Sequence, residues 1–152
     1  MPKCYFAHPY NHRNDRDKFQ ILKHIHKRMS LAVIDPFDGE DKLLKKHGVE
    51  EYYKNPLHDL GCEMWLKDLN QIHRCQYLVA WIPDYEALGT SAEISYAYAL
   101  QRVYIIIISP ILHPSFALYH REMYLSVSDF LNGRKFDWKN EDFGLNDIKE
   151  EK

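Results

Sequence analysis

Glu93 stands where a loop turns into a helix behind an apolar stretch. It closes the run Gly89-Thr90-Ser91-Ala92-Glu93, which follows Tyr77-Leu78-Val79-Ala80-Trp81-Ile82. A carboxylate in a first helical turn lies near backbone N–H groups and the positive end of the helix. Both keep it ionised, and an ionised carboxylate is a nucleophile for an electron-poor carbon. The same position also suits a glutamate that only stabilises its helix. The other chemistry-bearing side chains form no ready-made motif. The chain has nine histidines. His8 and His12 flank one loop, and His24 and His26, two apart on one helix, do not share a face. Without HExxH or a Cys/His cluster, no metal is expected. Neither GxGxxG nor a Walker loop occurs, which argues against a dehydrogenase or an ATPase, so no cofactor is expected.

The elements that must position Glu93 alternate between strand and helix. Lys3-Cys4-Tyr5-Phe6-Ala7 is a predicted strand that ends at His8-Pro9-Tyr10, because proline breaks a ladder. A helix is expected from about Asn14 to Met29, with Leu22, Ile25 and Met29 at helical spacing and Phe19 and Ile21 widening that face. Leu31 to Ile34 is a second strand, stopped by Asp35-Pro36. The stretch from Phe37 to Leu60 is polar and irregular, with a short helix at about Asp41 to His47 ended by Gly48. A helix from Cys62 to His73, a strand from Tyr77 to Ile82, a helix from Gly89 to Gln101 and a strand from Val103 to Ser109 follow. A last helix is expected over Phe116 to Leu131, with a charged tail after Asn132 packing at the rim.

Continuously apolar strands alternating with helices predict an α/β fold: a doubly wound, flavodoxin-like or Rossmann-like parallel sheet of four or five strands flanked by helices. Ligands bind such sheets beyond the carboxyl ends of the strands. His8 to Asn14 and Pro83 to Thr90 fall there, so the chemistry is sought in those two loops.

The 152 residues and 45% hydrophobic content allow one domain with a real core. With 20 basic against 22 acidic residues, the charge balance argues against a nucleic acid polymer as partner. Cys4, Cys62 and Cys75 form no CxxC pair and no disulfide framework, as in a cytoplasmic protein with reduced thiols. Met1 to Tyr10 has no signal-peptide core, and the apolar run Val103 to Ile108 is too short to span a bilayer, so no membrane is expected.

The order Asp68-Leu69-Asn70-Gln71-Ile72, strand, Pro83-Asp84-Tyr85-Glu86, then Gly89-Thr90-Ser91-Ala92-Glu93-Ile94-Ser95-Tyr96-Ala97 resembles the nucleoside 2-deoxyribosyltransferase family. That family carries an Asp-Leu-Asn helix, a buried strand and a Gly-Thr-Ala-x-Glu-x-Gly-x-Ala helix start. Cys4-Tyr5-Phe6-Ala7 is similar to its first strand, which brings a tyrosine to the active site. The resemblance spans Asp68 to Ser109 and, in part, Lys3 to Tyr10.

The resemblance implies one domain over residues 1–152, with Glu93 as nucleophile, Tyr5 orienting it and Asp68 contacting the sugar and base region. It puts Pro9 and Tyr10 where the family places base-stacking residues, and the position of the two loops adds His8, Asp84, Gly89 and Thr90 at the substrate. The implied reaction moves a 2-deoxyribosyl group between nucleobases through a covalent glycosyl-enzyme, as in retaining glycosidases. The partners would be a nucleoside or nucleotide, a free nucleobase, and further copies of the chain, since family sites are shared between subunits. The neighbour's residue is sought among Ser115, Ser126 and Ser128, and the apolar stretch Phe116 to Leu125 is a candidate interface. Without the resemblance, Tyr5 also fits a core tyrosine and Asp68 a solvated helix carboxylate.

Two positions depart from the pattern. Ala87 stands six residues before Glu93, where the family has a base-pairing aspartate, leaving Asp84 or Glu86 as substitutes from the same loop. Ser95 replaces a glycine, which a helix tolerates. Two alternatives follow. One is a deoxynucleoside 5′-monophosphate N-glycosidase, with Arg13 and Arg16 as phosphate contacts. The other is a non-catalytic nucleoside- or nucleotide-binding module on the same fold.

Overall fold

The computed structural model describes residues 1–39 and 58–139, with residues 58–60 as backbone only. The expected helix over Asp41 to His47 lies outside the described residues.

Five strands form one parallel sheet: β1 (Lys3–Ala7), β2 (Ala32–Ile34), β3 (Tyr77–Trp81), β4 (Tyr104–Ile108) and β5 (Glu122–Tyr124), in the order β2-β1-β3-β4-β5. This is the flavodoxin-like order. Its register sets Tyr5 against Leu78, Leu78 against Ile105, and Ile106 against Glu122. Strand side chains alternate between faces, so each central strand feeds two cores. Tyr5, Ala7, Leu78, Ala80, Ile105 and Ile107 face one core, covered by α2 (His58–His73), α3 (Leu88–Ala99) and α4 (Pro114–Tyr119). Cys4, Phe6, Val79, Trp81, Ile106 and Ile108 face the other, covered by α1 (Arg16–Lys27) and α5 (Val127–Leu131). Both faces are covered, which is why β4 is a run of isoleucines rather than an alternating strand.

Four expectations need correction. Helix α2 begins four residues before Cys62. On α1 the buried residues are Lys18, Ile21 and Ile25, while Phe19 is 53% exposed and does not widen the apolar face. Lys18 is buried because its ammonium meets Asp35. The predicted helix over Phe116 to Leu131 is instead helix, strand, helix. Helix α4 stops at His120, whose backbone is extended, and β5 then takes the sheet edge beside β4. Ser126 restarts the chain as a helix by accepting the Asp129 N–H at 3.0 Å. That Ser-x-x-Asp capping signal is present in the sequence. Phe116, Met123 and Tyr124 are consequently buried within the fold, while Leu118 of the same stretch stays 62% exposed. Phe136 and Trp138 of the tail pack back onto the core beside Met123.

Candidate active site

In the order β2-β1-β3, the chain leaves β1 in one direction and β3 in the other, and the gap beyond their carboxyl ends is the switch point of the sheet. A cleft of about 350 Å³ opens there. The end of β1 supplies His8, Pro9 and Tyr10, and the turn after β2 supplies Phe37. Helix α2 supplies Gly61, Met64, Trp65 and Asp68; the loop after β3 and the start of α3 supply the rest, from Glu86 to Glu93.

Tyr5 and Glu93 are 88 residues apart in sequence, and the sheet brings them together. Tyr5, on the α3-facing side of β1, donates its O–H to Glu93 Oε1 at 2.6 Å. Tyr5 is fully buried and Glu93 is 6% exposed. Helix α3 starts at Leu88 with Ala87 as its cap residue, so Glu93 lies on the second turn, not the first. The pull of a helix end falls off within the first turn, so the helix terminus acts weakly on this carboxylate, while the Tyr5 hydroxyl bonds it directly. The helix start itself borders the cleft. It has no side-chain cap, and the Ser91 N–H closes the first turn onto Ala87 at 2.9 Å. A Cβ built at Gly89 would meet nothing within 4 Å, so a ligand has room to approach that backbone.

Asp68 is brought to the same cleft. Its side chain is 13% exposed, and Lys67 Nζ stands 3.8 Å from Oδ1, beyond hydrogen-bond reach. Burial pushes the carboxyl up to about 6, against a smaller pull from Lys67. Its companions Gly61, Met64 and Trp65 recur at helical spacing on the face of α2 that carries Asp68. That stripe is the sequence signal that would have found Trp65.

The remaining predicted residues divide. Pro9, Tyr10, Gly89 and Thr90 line the cleft, and Ala87, the departure from the family pattern, lines it too. Asp84 does not: it accepts from His12 Nε2 at 2.6 Å, while its neighbour Glu86 reaches the cleft wall. The His8 side chain turns inward and is fully buried, with Nε2 3.0 Å from Asp35 Oδ1. Asp35 also takes the Phe37 N–H at 3.1 Å, and Lys18 Nζ lies 2.6 Å from Oδ2 in a contact that is ionic rather than a well-angled hydrogen bond. Burial would raise the Asp35 carboxyl, but His8 and Lys18 outweigh it and hold it at about 2. His8 thus lines the cleft with its imidazole held from behind by Asp35. Arg13 does not line the cleft; its guanidinium carbon sits 3.5 Å over the Tyr10 ring and Nη1 donates to the Tyr10 carbonyl at 3.0 Å. Arg16 is exposed. Tyr10 and Phe37 meet edge to face at 5.5 Å, giving the cleft an aromatic wall of a kind that stacks on planar rings. Among the described residues, no group of three or more His, Cys, Asp and Glu side chains could hold a metal ion. Nor is any helix among them long and apolar enough to cross a membrane.

Fold and site together define a doubly wound α/β protein whose switch-point cleft is built around a buried tyrosine–glutamate pair. Among solved structures it is similar to the 2-deoxyribosyltransferase of Bacillus psychrosaccharolyticus, with a TM-score of 0.61 over 90% of this chain and 93% of that one, at 16% identity. A 2-deoxyribosyltransferase from Leishmania mexicana aligns over 78% of this chain and 71% of its own, with a TM-score of 0.48 and 18% identity. At 16% identity the likeness to the Bacillus protein establishes the fold. No protein-family model matches the chain, and no curated protein matches its sequence.

Proposed function

We propose that the chain transfers a 2-deoxyribosyl group between nucleobases through a covalent glycosyl-enzyme on Glu93. The observation that carries this reading is the 2.6 Å hydrogen bond from Tyr5 to Glu93 at the wall of the cleft. A buried carboxylate hydrogen-bonded by Tyr5, in a cleft with an aromatic wall, suits attack on the anomeric carbon of a bound nucleoside.

In the first half-reaction the C–N bond breaks, its electron pair leaves with the base, and Glu93 forms an ester with the sugar. The departing base needs a proton, and Asp68, with its carboxyl at about 6, carries one part of the time near neutrality. In the second half-reaction another base attacks the same carbon and releases Glu93. Two inversions give retention, and the kinetics are ping-pong. Water in place of the second base makes the same site a hydrolase.

The charge of the cleft favours a nucleoside over a 5′-monophosphate. Its described lining carries Asp68, Glu86 and Glu93 and no lysine or arginine, and Arg13 is engaged with Tyr10. A phosphate dianion there would be repelled. The reading includes a homo-oligomer. Leu66, Tyr85 and Leu88, in elements that wall the cleft, are 58%, 88% and 87% exposed, a surface that a second copy would cover.

The test is to incubate the protein with deoxyinosine, with and without free cytosine, beside deoxynucleoside monophosphates. Deoxycytidine formed by the wild type and absent with Glu93→Ala is the expected result, together with a protein mass increase of one deoxyribosyl group when the acceptor is omitted. Base released only from monophosphates would move the assignment to the nucleotide hydrolase. Ligand binding without turnover, unchanged in Glu93→Ala, would make the chain a binding module.

A further inference from the structure

The two loops that wall the cleft are tied to each other by one imidazole. His12 closes the short 3-10 turn Tyr10–His12 after β1. Its Nδ1 lies 2.6 Å from Asp15 Oδ2, on its own side, and its Nε2 lies 2.6 Å from Asp84 Oδ2, in the loop after β3. A second link, with a neutral amide as donor, runs parallel, from Asn11 Nδ2 to Glu86 Oε2 at 3.0 Å. The residues flanking these links, Pro9 and Tyr10 on one side and Glu86 and Ala87 on the other, line the cleft, whereas His12 and Asp84 do not.

We infer that His12 is a positioning residue: in its doubly protonated form it staples the Asp84–Ala87 loop to the turn after β1 and so sets the width of the cleft, an effect on substrate that rests on the activity proposed above. Both carboxylates accept, so both contacts are hydrogen bonds only while both ring nitrogens carry a proton. A neutral imidazole has one N–H and must release one of its two partners. Among the described residues, the charged groups that reach the ring are Asp15 and Asp84, and β3 adds the uncharged Trp81 ring, edge-on at 5.6 Å. The Asp15 hydrogen bond, partly opposed by burial and reinforced by Asp84, raises the His12 pKa above its ordinary 6.5. Asp84 is lowered in turn, chiefly by its bond to His12. The staple is therefore complete below the ordinary histidine pKa and is lost as pH rises through the raised one.

The experiment has one arm without substrate and one with it. Histidine NMR resonances and amide hydrogen exchange of residues 82–87, corrected for intrinsic rates, are followed across pH in wild type, His12→Gln and Asp84→Asn. The expected result is a His12 pKa above 6.5, with loop protection falling several-fold through that same pH. Protection should be low and pH-independent in His12→Gln, and the inflection should move to lower pH in Asp84→Asn, whose amide oxygen still accepts but carries no charge. In the second arm, KM rises through the same pH while kcat changes less, and His12→Gln has a high, flat KM. A His12 pKa at or below 6.5, or loop protection with no inflection that His12→Gln removes, overturns the staple even if the chain turns over nucleosides. A complete first arm with no turnover of any substrate leaves the staple standing and removes the proposed activity instead.

Discussion

Strands β1 and β4 lie in one sheet, separated only by β3, and the same alternation places their side chains in the same two cores. Beyond that they differ. Ile105 to Ile108 of β4 are all buried hydrocarbon. On β1 the equivalent inward position toward α3 is Tyr5, whose ring packs in the same core as Ile105 and Ile107 but whose hydroxyl reaches out of it to Glu93. The strand ends differ as well. β4 runs into Ser109, whose Oγ accepts the Ile111 N–H at 3.0 Å and caps a turn. β1 runs into His8, which opens the buried chain His8–Asp35–Lys18. The β4 side is built to be stable, and the β1 side gives over part of its burial to polar groups that shape a cleft. The position of the strand crossover decides which side is which, because only at β1 and β3 do the connections diverge and leave a gap.

The largest effect should come from Glu93→Gln, which keeps the shape and removes the proposed nucleophile: turnover should drop by about 10⁴-fold or more, read as product formed per enzyme in the base-exchange assay, with thermal stability little changed. Retained turnover would put the chemistry elsewhere in the cleft. Ile107→Ala tests the other half of the contrast. It leaves a cavity in a fully buried strand and should cost about 2–5 kcal/mol of unfolding free energy in a denaturant titration, while kcat measured on folded protein stays near wild type. An activity loss larger than the unfolded fraction explains would mean that the two regions are not separable.

Tyr5→Phe sits between these two. The ring, and with it the core packing, is kept, and only the O–H is lost. A hydrogen bond to a charged group is worth about 1.5–3 kcal/mol, so kcat should fall about 10- to 100-fold if most of that is felt in the transition state. A change confined to stability would return Tyr5 to the rank of a core tyrosine.

This contrast also explains what can be read in the sequence. The buried strands and their order of alternation with helices are apolar runs with sharp ends, so β1, β3 and β4 and the doubly wound class are legible. Glu93 and Tyr5 are legible because each sits in a short local run, Gly89 to Glu93 and Cys4 to Ala7, that resembles a family motif, although the two are 88 residues apart. Asp35, Lys18 and His12 are not. Their partners are 27, 17 and 72 residues away (His8–Asp35, Lys18–Asp35 and His12–Asp84), and nothing local marks a lysine as buried until its carboxylate is in place. Asp84 escapes sequence reasoning for the same reason: a carboxylate in the right loop belongs to the cleft only if no nearer cation claims it, and His12 does. The β5 strand is lost to length, since three residues carry too little periodicity to outvote a long apolar stretch read as helix.

The smallest effect sharpens the contrast around the cleft, between Asp35 behind its wall and Asp68 in its lining, two buried carboxylates displaced in opposite directions. Asp35, held at about 2 by His8 and Lys18, contributes stability above the ordinary carboxylate pKa of 3.8, and that contribution is lost as pH falls toward 2. Asp68, pushed up to about 6 by burial, does the reverse: the folded state holds its proton more tightly than the unfolded chain, so stability is lost as pH rises from about 3.8 to about 6. Asn at position 68 resembles the protonated acid and has nothing to lose. Asp68→Asn should therefore match wild type near pH 4 and exceed it above pH 6, in unfolding titrations run at both pH values. Each tenfold change in proton affinity is worth about 1.4 kcal/mol, and partial exposure reduces the sum, so the expected gain is about 1–2 kcal/mol. The same variant should be slower in base exchange. A gain in stability joined to a loss of turnover marks a carboxylate kept in place for the reaction at a cost to the fold; no gain above pH 6 would mean that Asp68 is solvated and that the α2 stripe does not close over it.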